Sequence, residues 1–115
     1  MKLLPLVYTM IILLLAILLS IPALADDVDE YIADLKKPDS TIREDAASAL
    51  GRMNDPSAVD PLIKALGDRD VVIRSMSAIS LGLLSNPRAV EPLISALDDE
   101  NISVRTNAAV SLGKQ

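Results

Sequence analysis

Cysteine, histidine, tryptophan and phenylalanine are absent from these 115 residues, and tyrosine occurs only twice. Without cysteine there is no disulfide, no thiol nucleophile and no lipid attached to an N-terminal cysteine. Without histidine there is no imidazole metal ligand, no histidine general base and no nucleophile–histidine pair. The four glycines are scattered, so no glycine-rich phosphate loop forms. Few aromatics, no basic stripe and a net charge of −5 argue against a nucleic-acid-binding surface. No cofactor is expected. Packing alone must stabilise the fold, and the acidic balance mainly favours solubility.

The apolar residues that are present fall into two patterns. The first is a single run near the N-terminus. Lys2 precedes an apolar core from Met10 to Leu19, then Ile21-Pro22 and Ala23-Leu24-Ala25. A positive start, an apolar core and a small-x-small ending describe a signal peptide over residues 1–25, cleaved after Ala25. The next residues, "DDVDEYIADL", are acidic, and that charge order favours export of the C-terminal part of the chain. The expected destination is extracellular or the cell envelope. The stretch from Leu6 to Leu24 also approaches spanning length. An uncleaved anchor with the rest of the chain outside is therefore the alternative, and a membrane is a partner only in that case.

The second pattern is a period of 31. That shift superposes Leu35, Leu66 and Leu97, then Arg43, Arg74 and Arg105, then Ala47, Ala78 and Ala109. It also superposes Leu50, Leu81 and Leu112, and Gly51, Gly82 and Gly113. A fixed period without insertions marks a stacked repeat array, with units of about 26–54, 55–85 and 86–115. Each unit reads as two helices. In the middle unit, Asp55 caps the first, Pro56 suits its first position, and Pro61 predicts a kink or a late start. The second starts after Asp70, with Asp39 and Asn101 at the same place as N-caps, and ends near Leu84 before Ser85-Asn86-Pro87. The last unit stops at Gln115, inside its second helix. That end is frayed, covered by another subunit, or followed by further chain.

The motif Ala58-Val59-x-Pro61-Leu62-Ile63-x-Ala65-Leu66, then Asp68, Arg74, Ala78, Leu81 and Gly82, recurs in the third unit. There it is Ala89-Val90-x-Pro92-Leu93-Ile94-x-Ala96-Leu97, then Asp99, Arg105, Ala109, Leu112 and Gly113. It resembles HEAT-like repeats in the short form found in phycobilin lyase subunits, over residues 26–115. The resemblance implies an all-α fold, an α-solenoid of about three helix pairs. Ankyrin and tetratricopeptide signatures are missing. It also implies that second helices line a concave surface, and that Asp68, Arg74, Asp99 and Arg105 belong to an aspartate–arginine ladder between units. Arg43 is the first-unit counterpart, where Lys37 replaces the aspartate. On this reading Arg74 is structural.

On the second helix of the middle unit, Ile73, Arg74, Ser77, Ala78, Leu81, Gly82 and Leu84 share one half. Val72, Met76, Ile79 and Leu83 form a stripe on the other. Its counterparts are polar or mixed: Thr41, Asp45, Ser48 and Arg52 before it, and Ser103, Asn107, Val110 and Lys114 after it. An apolar centre with a polar rim is built like a protein-binding patch. Coverage by a terminal segment, a further repeat or a second copy of the chain is the alternative.

Asp98-Asp99-Glu100, with Asp68 and Asp70, lacks the spacing of a calcium loop, and acidic residues are favoured at helix starts in any case. Asn101-Ile102-Ser103 is a glycosylation sequon whose asparagine doubles as a cap. The expected function is a non-catalytic, exported interaction module that binds a protein partner, or a copy of itself, through Val72, Met76, Ile79 and Leu83. The alternatives are a partner-dependent subunit of a lyase-type enzyme and a fragment of a longer array.

Overall fold

The computed structural model describes residues 3–20 and 24–115. Among these the regular structure is helical: α1 (Leu4–Ser20), α2 (Leu24–Asp34), α3 (Ser40–Arg52), α4 (Val59–Ala65), α5 (Val71–Leu84), α6 (Val90–Ala96) and α7 (Ile102–Leu112). Short 3₁₀ turns at Pro56–Ala58 and Pro87–Ala89 lead into α4 and α6. Pro22 and Ala23, part of the expected cleavage signal, lie outside the described residues. The expected cut after Ala25 falls within the first turn of α2. The described residues of α1 up to Ile17 are exposed. Among the described residues no helix is long and apolar enough to cross a membrane.

The helix starts follow directly from local chemistry. Asp39, Asp70 and Asn101 each accept a hydrogen bond from the backbone N–H two residues on, from Thr41, Val72 and Ser103. That fixes the first turns of α3, α5 and α7. Asp55 and Asn86 do the same for the 3₁₀ turns. Pro61 is the third residue of α4, in the first turn, where its missing N–H leaves no intrahelical bond unmade. The proline delays the helix rather than kinking it. The end of α5 is set by Ser85 and that of α3 is followed by Asn54, both with left-handed backbone at φ 48° and 52°. α7 closes at Leu112, not Gln115, because the Gly113 N–H turns back to the Ala109 and Val110 carbonyls.

The pairs α2–α3, α4–α5 and α6–α7 pack side by side. Helices α3, α5 and α7 contact one another along their length as one layer. Helices α2, α4 and α6 form the other, and meet the next unit mainly through the 3₁₀ turns. Between the layers lies one continuous core in which Leu50, Val59, Leu62, Leu81, Leu93 and Val104 are fully buried.

The close approach within the α3–α5–α7 layer has a specific cause. Gly51 faces Ser80 and Gly82 faces Ser111, so closely that a methyl on Gly82 would lie 2.7 Å from the Ser111 Cβ. Each serine hydroxyl donates across the junction, Ser80 to the Ala47 carbonyl and Ser111 to the Ala78 carbonyl, both at 2.6 Å. Glycine gives the space and serine fills it with a bond.

Candidate functional site

The arginines that the repeat aligns lie at the unit junctions. Arg43 donates through Nε and Nη2 to the two carboxylate oxygens of Asp68, at 3.1 and 3.3 Å. Arg74 does the same to Asp99, at 3.0 and 3.4 Å. In each case Nη1 reaches back to carbonyls in its own inter-helix turn: Lys37 and Pro38 for Arg43, Asp68 and Arg69 for Arg74. Lys37, which lacks the carboxylate, thus still contributes its carbonyl. Arg105 makes the Nη1 bonds to the Asp99 and Glu100 carbonyls and meets no carboxylate among the described residues.

These pairs are largely withdrawn from water, with side-chain exposures of 11% for Arg74 and 13% for Asp99. Burial pushes the Asp99 carboxyl up. The Asn101 N–H, the Arg74 hydrogen bond and charge, and the Arg105 charge outweigh it and hold the group below its ordinary value. The Asp55 carboxyl is also lowered, by the hydroxyl and backbone N–H of Ser57. Both carboxylates are stabilised as anions inside turns, an arrangement suited to holding structure and not to exchanging protons at neutral pH.

Asp98, Asp99 and Glu100 do not converge. Asp99 is occupied by Arg74 and the Asn101 N–H, and Glu100 is exposed beside Arg74 at 3.6 Å. Among the described residues no group of three or more histidine, cysteine or carboxylate side chains is placed to hold a metal ion. The Asn101 side chain is engaged as a cap.

The α5 stripe lies on the outward face of the α3–α5–α7 layer. Val72, Ile79 and Leu83 are 43%, 37% and 49% exposed, and Met76 is half-buried. The other half of the helix is buried at Ile73, Ser77, Ala78, Leu81 and Gly82. Val72, Met76 and Ile79 line one wall of a groove of about 280 Å³, whose other wall is Asn101, Ser103 and Asn107 at the start of α7. Leu83 stands outside that groove, so the four residues form one face but not one pocket.

Two features escape a reading of the sequence by helix faces. The first is the Ser80 and Ser111 pairing with Gly51 and Gly82; its only trace is serine at a 31-residue spacing, broken by Ala49 in the first unit. The second is a cleft of about 390 Å³ between α2 and α4, where Lys36 and Lys64 stand beside Ile32, Pro61 and Ile63. It exists only once α2 and α4 are placed side by side.

Residues 28–113 match the family model for HEAT repeats, which spans all three helix pairs. No curated protein matches the chain.

Proposed function

The chain belongs to the HEAT-repeat family, and from that premise we propose that it is an exported, non-catalytic module that binds a protein partner on the outward face of α5. HEAT repeats generally mediate protein–protein interaction. One observation carries the reading: Val72, Ile79 and Leu83 are exposed together at the centre of a layer whose flanking helices present Thr41, Asp45 and Arg52 on one side, and Ser103, Asn107, Lys114 and the exposed apolar Val110 on the other. An exposed apolar strip with polar borders is the ordinary build of a contact surface. The tighter packing of α3, α5 and α7 relative to the other layer supports their lying on the inner side of the stack.

The absence of histidine and cysteine, and the engagement of Asp99 and Asp55 in turn bonds, support a role without catalysis. The units resemble the short repeats of phycobilin lyase subunits; that resemblance bears on the architecture, and no contact among the described residues favours a lyase activity. Export rests on Lys2, the apolar core and the Ala23-Leu24-Ala25 ending, and the repeat units occupy residues 26–115.

The test compares the wild type with the Met76→Asp/Ile79→Asp variant. Hydrogen exchange of bound wild type is expected to show protection of α5, and the variant is expected to lose the bound protein while keeping its helical circular dichroism. Retention of the same partner by the folded variant overturns the assignment of this face.

A further inference from the structure

The repeat builds the same groove twice between successive first helices. Ile32 and Leu35 line the first with Pro61 and Ala65; Ile63 and Leu66 line the second with Pro92 and Ala96. The charged residues do not repeat. Lys36 and Lys64 line the first groove where the second has Gly67 and Ser95, and the second is lined instead by Asp98 and Asp99. Since the second pair of helices packs without them, the stack itself does not require the two lysines.

The lysines are also without partners. Among the described residues neither Lys36 nor Lys64 has a carboxylate within ion-pair distance. The two carboxylates beside them are already engaged. Asp60, one turn before Lys64 and its ordinary helical partner, receives Arg88 of the next unit at 2.8 Å. Asp68 receives Arg43 through Nε and Nη2, and the Asp70 N–H. In a chain where 16 acidic residues outnumber 11 basic ones, two unpaired ammonium groups at one cleft are a local excess of positive charge. Beside them the cleft opens to about 390 Å³ over Ile32, Pro61 and Ile63, all half-buried. Small-molecule sites span about 300–1,000 Å³ and combine such an apolar lining with a few polar groups that fix the ligand.

We propose that the cleft between α2 and α4 binds an alkyl carboxylate, a fatty acid, with its head on Lys36 and Lys64 and its chain over Ile32, Pro61 and Ile63. Each ammonium is a point charge on a flexible stem, so the pair adapts to one small anionic head, and the stems extend the apolar surface. The surroundings select a single charge. Asp60 and Asp68 border the cleft, and α2 carries Asp29, Glu30 and Asp34. An acidic peptide or an anionic membrane surface would bring further anions against these carboxylates. The second groove, with Asp98 and Asp99, rejects the same ligand. The cleft belongs to the opposite layer from the α5 face, and the inference stands whether or not that face binds a protein.

The full chain is to be titrated with octanoate, octanol and octylammonium, one apolar chain under three head charges, and followed by methyl NMR. Octanoate is expected to give saturable shifts at Ile32 and none at Ala96 of the second groove. Its Kd is expected about tenfold below that of octanol, with octylammonium weaker still. Lys36→Gly/Lys64→Ser installs the residues of the second groove and is expected to bring octanoate to the octanol level. Lys36→Glu/Lys64→Glu is expected to exchange the preference for octylammonium, a second reading of the same charge dependence. No saturable shift, equal affinity for octanoate and octanol, or an octanoate affinity unchanged by either substitution overturns the proposal. Shifts at Ala96 or in α1 in place of Ile32 overturn it too.

Discussion

Ser77 is the one buried side chain whose hydroxyl finds no hydrogen-bond partner among the described residues, and it is fully inaccessible. At the same place in the other units stand Ala46 and Ala108, also fully buried, so the site accepts a methyl without rearrangement. A hydroxyl stripped of water without a partner costs free energy that alanine does not incur. Ser77→Ala is therefore expected to stabilise the fold, by about 1 kcal/mol. Urea unfolding of the two proteins checks it: a midpoint lowered by the substitution would mean that the hydroxyl is bonded after all. Ser80, three residues on, is the opposite case. It too is buried, but its hydroxyl bonds the Ala47 carbonyl. Identity alone does not separate these two serines; only the facing helix does.

At the scale of the helix, Gly82 sets how closely α5 and α7 approach. A methyl there would lie 2.7 Å from the Ser111 Cβ and 3.0 Å from its Cα, so the two helices must part. Gly67 is the contrast, because a methyl there meets nothing nearer than the Lys64 carbonyl at 3.5 Å. Gly82→Ala is expected to lower stability by about 2 kcal/mol through overpacking. Gly67→Ala is expected to stay within about 1 kcal/mol of the wild type, since only the intrinsic preference of the turn changes. Thermal melts of the two variants separate these outcomes, and equal effects would remove Gly82 as the spacer of the layer. Much of this element-level structure was legible in the sequence. Asp39, Asp70 and Asn101 announce helix starts because capping needs only residues two apart, and the split of α5 into buried and exposed halves follows from periodicity within one helix. The Gly–Ser pairing, the cleft between α2 and α4 and the separation of Leu83 from the groove were not legible. Each depends on where a second helix lies, which a periodicity within one helix does not encode.

For the whole molecule, the arginine–aspartate pairs tie one unit to the next, and their dependence on pH follows from the state of Asp99. Its carboxyl is held below the ordinary value of about 3.9. A carboxyl with a depressed folded-state pKa binds its proton more readily in the unfolded chain. Its contribution to stability is thus complete above the unfolded value and is lost as pH falls through the folded one. Arg74 is among the causes of that depression, so removing it has two linked effects. At neutral pH, Arg74→Ala leaves the Asp99 carboxylate, 13% exposed, without its guanidinium, at a cost of about 3 kcal/mol. As pH falls through the folded-state value of Asp99, which in the wild type lies below the ordinary one, the carboxyl takes up a proton, no unpaired charge remains, and the difference between wild type and variant narrows. Urea midpoints of the two proteins, measured from pH 7 down to the acid limit of folding, are expected to converge as Asp99 protonates. Curves that stay parallel throughout would show that Arg74 supports the junction by packing and its Asp68 carbonyl bond, and not by its charge on Asp99.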